Sequence, residues 1–171
     1  MDKKLLQTIK RVHVLFRRND YTLSVAESCT GGFISNLITD FPGASKFFEA
    51  GVVSYSANAK RSLLQVSSSC IATYGVVSEQ IAREMAEKIR ELTKTDFSLS
   101  TTGNLGPDIL EGKERGLIFV AVGTRRKTVS KELRVKGTRG ENKEEAALLA
   151  LQFLLETVEK TSIREQQSHA P

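Results

Sequence analysis

The chain has 171 residues, 40% of them hydrophobic and 26% charged, with a formal net charge of +5. That length and balance fit one soluble domain with its own core, while two cysteines exclude a disulfide framework and, with two histidines, supply too few ligands for a structural zinc. No apolar run approaches the roughly 20 residues of a membrane span, and charge returns at Lys10-Arg11 before a signal core can form, so a cytoplasmic protein without a membrane partner is expected.

Leu5, Leu6, Ile9, Val12 and Phe16 recur at helical spacing and predict an amphipathic helix over 3–18. A β-prone strand follows at about 21–26. The run Ala26-Glu27-Ser28-Cys29-Thr30-Gly31-Gly32 then turns into a helix built on Phe33, Ile34, Leu37 and Ile38, which Phe41-Pro42-Gly43-Ala44 ends near Asp40. Residues 47–55 read as a strand, and a short helix around Asn58 carries Lys60, Leu63 and Leu64. Ser78 is expected to cap a helix with Ile81, Met85, Ile89 and Leu92 on one stripe. Residues 96–102 suit a buried strand running into Gly103. Residues 116–122 and 128–135 predict a strand pair joined by a turn over 123–127. A last helix over about 142–159 packs through Ala147, Ala150, Leu151, Leu154 and Val158, and 161–171 is expected to be a polar, frayed tail.

Helices and strands alternate without linker or repeat. The expected architecture is α/β: a single three-layer α/β/α sandwich over 1–160 with a mixed sheet and helices on both faces. In such sheets the site lies beyond the carboxyl ends of the strands. Three turns rich in hydroxyls or glycine, at 28–32, 54–60 and 101–107, would gather there.

The turn between the first strand and the second helix leaves N–H groups free to meet a phosphate, a carboxylate or an oxyanion, with Ser28 at its edge. A nucleophilic serine needs a base. His13 lies in the first helix and His169 in the tail, so neither is well placed. Lys60 opens a helix and can serve if burial and the helix's positive end lower its pKa from about 10.4. Other residues carry two readings each. Tyr55 either orients this pair or simply ends a strand. Cys29 is a rival nucleophile or a small buried filler. Glu27 contacts substrate or complements the helix dipole. Gly31-Gly32 cradles a phosphate or permits close packing. The loop at 101–107 faces a ligand or merely connects. The cations are dispersed, and the densest cluster, Arg125-Arg126-Lys127, lies in a hairpin turn without aromatic residues, so nucleic acid is not expected as a partner.

Read in order, AESCTGG at 26–32, GVVSYSANAK at 51–60, YGVVSEQIAREMAE at 74–87, TTGNLGP at 101–107 and GKERGLIFVAV at 112–122 resemble the CinA carboxy-terminal domain family. That family contains the nicotinamide mononucleotide deamidases, and the resemblance runs from about residue 4 to 158. It implies an α/β/α layered domain that hydrolyses the carboxamide of a small nucleotide substrate to nicotinate mononucleotide and ammonia. It implies no metal or cofactor, and a homodimer or larger homo-oligomer, for which Val14 and Leu15 offer apolar positions. By position, Ser28 matches the nucleophile, Lys60 its base and Tyr55 the accompanying tyrosine. Substrate contacts fall on Glu27, Cys29, Thr30, Gly31, Gly32, Thr102 and Gly103, with N–H groups of the 29–32 turn holding the oxyanion.

The chain departs from the family pattern in three places. Asp108 stands for a glycine after Gly106-Pro107 and is expected to crowd an anionic ligand. Asn142 stands where a glycine-aspartate-arginine element carries its arginine, which leaves Arg139 as the substitute contact. Asn58 sits one place later than the family's asparagine. These departures keep a second function open, a catalytically altered nucleotide-binding or regulatory module.

Overall fold

The computed structural model describes residues 2–168. Its elements run α1 (Lys3–Arg18), β1 (Leu23–Glu27), α2 (Phe33–Thr39), β2 (Phe48–Val53), α3 (Ala57–Leu64), α4 (Ser68–Tyr74), α5 (Glu79–Thr93), β3 (Phe97–Gly103), β4 (Leu117–Gly123), β5 (Thr128–Arg134) and α6 (Arg139–Ser168). The five strands form one sheet in the order β2-β1-β3-β4-β5. β1 pairs in parallel with both β2 and β3, and β4 runs antiparallel to β3 and β5. The sheet is mixed, as expected.

Strand alternation divides the core. Leu23 and Val25 of β1, with Phe97 and Leu99 of β3, point to the side covered by α1 and α6, where they meet Ile9, Val12, Phe16, Leu151 and Leu154. Their neighbour Ala26 points the other way, toward Ile81 and Met85 of α5. On that second face the β3 side chains are small hydroxyls: Ser98 and Ser100 donate to the carbonyls of Ala86 and Ala82 in α5. Short polar side chains thus let α5 approach closely while both of these hydroxyls keep an acceptor.

Ser78 caps α5 as expected, accepting from Ile81 N, and Ile81, Met85 and Ile89 are buried. Leu92 breaks the expected stripe and is half exposed. The sequence pattern missed α4 altogether. None of its residues is fully buried: the Ser67 cap on Cys70 N starts it, and only Cys70 and Ile71 pack partly against the α5 side of the core. The frayed-tail expectation is corrected in part, because α6 continues through Ser168. No proline or glycine falls between Glu141 and Ser168, Thr161 and Ser162 donate back to the carbonyls of Thr157 and Val158, and the Tyr21 hydroxyl lies 3.0 Å from Ser162 Oγ. Residues 169–171, with His169, lie outside the described residues. Among those described, no helix is long and apolar enough to cross a membrane.

Candidate active site

The carboxyl ends of β1, β2 and β3 lie side by side and deliver Ser28, Ser54–Tyr55 and Thr102–Asn104 to one region. Ser28 leaves the sheet with its N–H still bonded to Thr101 O at 2.9 Å, and Ser54 N bonds to Glu27 O at 2.9 Å. Behind Ser54, the Ser56 hydroxyl accepts from Ala59 N and starts α3. The helix turns Lys60 and Leu64 inward, so the Lys60 side chain is fully enclosed.

Lys60 Nζ lies 2.7 Å from Ser28 Oγ and 2.8 Å from the Ser54 carbonyl. Burial lowers the lysine to about 8, with the charges of Cys29 and Glu111 acting in the opposite direction. An amine with that value is partly neutral near physiological pH. Its lone pair can then accept the Ser28 proton while an N–H still donates to Ser54. The two groups expected to form a nucleophile and base therefore meet at hydrogen-bond distance.

Of its two readings, Cys29 fits the small buried filler better than the rival nucleophile. It is buried, and loss of solvation pushes its thiol up to about 12. His13 is far from this chemistry: its Nε2 lies 2.9 Å from Ile38 O, and the ring packs edge-on against Phe41 and Phe47.

Glu27 takes the structural one of its two readings. Its buried carboxylate accepts from the N–H groups of Gly32, Ile34 and Ser35 and from the Ser35 hydroxyl. The carboxylate thus fills the positive end of α2 that the sequence left open for a ligand. Gly31 N bonds to Ser28 O at 3.1 Å. Of the turn's N–H groups, that of Thr30 has no hydrogen-bond acceptor among the described residues, and that of Cys29 meets only its own thiol. The expected oxyanion donors narrow to these two.

Other expected contacts also carry structural bonds, while Thr102 and Gly103 still line the cavity. The Thr30 hydroxyl pairs with Thr101 Oγ1 at 2.8 Å, fully buried, and Thr102 donates to Val76 O. A Cβ on Gly103 would come within 2.7 Å of Leu117 O, so packing against β4 fixes that glycine. Gly31 and Gly32 both hold positive φ, at 59° and 92°, where a side chain would be strained. Their freedom serves the turn.

The site opens into a cavity of about 90 Å³ whose wall includes Ser28, Cys29, Tyr55, Thr102, Leu105 and Arg139. Arg139 reaches it from the start of α6, donating to Tyr55 Oη at 2.8 Å and to Gly106 O. Asn104 shapes the opposite rim: its amide donates to the carbonyls of Asp108 and Lys113 and accepts from Gly106 N. Asp108 is exposed and forms no part of the wall, so the expected crowding of an anion is not seen. Asn142 is fully buried, accepting from Gly137 N at 2.6 Å and donating to Leu105 O at 3.1 Å. It fastens two loops and faces no ligand.

Sequence reasoning missed the wall formed by Val76, Val77 and Leu110, and the Glu111 carboxylate that accepts from Val76 N and Val77 N. The YGVV segment was visible only as a lead-in to α5. No group of three His, Cys, Asp or Glu side chains stands close enough to hold a metal among the described residues.

The family described as CinA C-terminal domain matches residues 6–158. A competence-damage inducible protein of Thermoanaerobacter pseudethanolicus is 45% identical over 141 residues, covering 82% of this chain and 34% of the relative. One from Caldicellulosiruptor saccharolyticus is 40% identical over 154 residues, covering 89% and 38%. The chain thus spans about a third of the length of these relatives. Two crystal structures superpose closely. A CinA superfamily protein of Klebsiella pneumoniae gives a TM-score of 0.89 at 28% identity, covering 91% of this chain and 98% of that one. A competence/damage inducible protein of Agrobacterium tumefaciens gives 0.87 at 30% identity, covering 91% and 96%.

Proposed function

This chain belongs to the CinA C-terminal domain family, and on that premise we propose that it is an amidohydrolase converting nicotinamide mononucleotide to nicotinate mononucleotide and ammonia. The observation that carries the reading is the 2.7 Å contact between Ser28 Oγ and a buried Lys60 amine lowered to about 8. A merely structural lysine has no need of a fully enclosed amine beside a cavity-lining hydroxyl, and burial of that kind is costly.

In the proposed reaction Lys60 takes the Ser28 proton as Oγ attacks the carboxamide carbon. The N–H groups of Cys29 and Thr30 receive the developing oxyanion. Lys60 returns the proton to the departing nitrogen, releasing ammonia and leaving an ester on Ser28. Water then attacks the ester with Lys60 again as base, freeing the acid and restoring the serine. Arg139 holds Tyr55 at the mouth, where the phenol positions the substrate. The cavity of about 90 Å³ is well below the roughly 300 Å³ of a pocket that encloses a whole small ligand. It admits the carboxamide end, and the ribose phosphate lies across the mouth.

The test is to incubate the purified protein with nicotinamide mononucleotide and follow ammonia together with the acid product. Stoichiometric appearance of both is expected. Saturable binding without ammonia would replace the hydrolase with the nucleotide-binding module.

A further inference from the structure

A nucleotide whose amide end enters the cavity leaves its phosphate outside, beside the glycine turn. Asn142, where the family carries an arginine, is committed at both ends of its amide to Gly137 and Leu105 and has no exposure. Arg139 spends its guanidinium on Tyr55 and Gly106. One turn further along α6, on the same face, Lys143 extends over the glycine turn. Its Nζ lies 3.7 Å from the position that a Cβ on Gly31 would occupy.

Lys143 is half-buried, and its ammonium has no hydrogen-bond or ion-pair partner among the described residues. Glu141, two residues back on the same helix, is turned onto Thr138 N and Oγ1, and neither Glu144 nor Glu145 forms an ion pair with the amine. Gly31 presents bare backbone beneath the amine, so an anion can approach both without meeting a side chain. We propose that Lys143 is a specificity residue of this site, pairing with the phosphate of the nucleotide above Gly31. The inference rests on the amidase reading for the identity of the nucleotide, and on the geometry of α6 over the turn for the pairing itself. Lys143 touches no reacting atom. It acts on binding, and it selects a phosphorylated amide over the same amide without phosphate.

The experiment compares nicotinamide mononucleotide with nicotinamide riboside, which carries the same amide and no phosphate, on wild type, Lys143→Ala and Lys143→Arg. Losing one charge-assisted contact raises KM for the nucleotide about tenfold in Lys143→Ala. kcat stays within about twofold, the riboside is unaffected, and Lys143→Arg recovers most of the loss. An equal loss on both compounds, or an unchanged KM for the nucleotide, overturns the proposal. Calorimetric titration of both compounds separates it from the amidase reading. If wild type releases no ammonia, that reading fails, and the pairing then stands or falls on whether Lys143→Ala weakens nucleotide binding about tenfold and leaves riboside binding alone. A wild type that binds no nucleotide overturns both.

Discussion

The proposed reaction turns on a single proton on Lys60. Enclosure lowers the amine from 10.5 to about 8, so the neutral form makes up about a tenth at pH 7 and half near pH 8. As a base it works only when neutral. kcat/KM is therefore expected to rise about tenfold per pH unit below 8 and level off above it, measured as ammonia release across pH 6 to 9.5. A profile flat over that range would remove Lys60 from the base role. The sign for stability is set by the same depression. Between about pH 8 and 10.5 the unfolded chain holds a proton that the folded chain has lost, so stability from this group rises with pH there and is lowest below 8. Of this pair, the sequence disclosed the residue types but not their enclosure. Lysine is ordinarily a surface residue, and nothing local to 54–60 states that α3 turns its fourth residue inward.

The junction of β1 and α2 owes its shape to Glu27, which sits one residue before Ser28. Three N–H groups and one hydroxyl converge on its carboxylate inside the protein. Glu27→Ala leaves the buried Ile34 N–H and three part-buried donors without this acceptor, at about 1–3 kcal/mol for the buried one and less for each of the others, not fully additive. A loss of more than about 3 kcal/mol is expected, read as a melting temperature lower by about 10 °C, with activity falling alongside because the Ser28 turn loses its anchor. An unchanged melting temperature would mean that the carboxylate is not the cap described here. The strand-to-helix transition was legible in the small residues and paired glycines of 26–32. The filling of the helix end was not, because a carboxylate just before such a turn reads equally as a ligand contact. α4 was illegible for a different reason: an exposed helix of one cap and seven residues leaves no apolar period.

The sheet order explains why motifs scattered over much of the chain act together. β1 lies between β2 and β3 and runs parallel to both, so segments after 27, 53 and 103 must emerge at one edge. That convergence was legible from the alternation of helices and strands. The contribution of α6 was only half so, since Arg139 was expected near the site and Lys143 was not. The distinction between them is one of helical turn and burial, which sequence spacing without an axis cannot fix. The proposed reaction requires Ser28 to form the covalent bond to the substrate. It is tested most directly by acid-quenching the protein during turnover of nicotinamide mononucleotide and weighing the intact chain and its peptides, with Ser28→Ala alongside. The expected result is a nicotinate nucleotide ester on the peptide holding Ser28, and neither ester nor ammonia from Ser28→Ala. Sustained ammonia release by Ser28→Ala would contradict it.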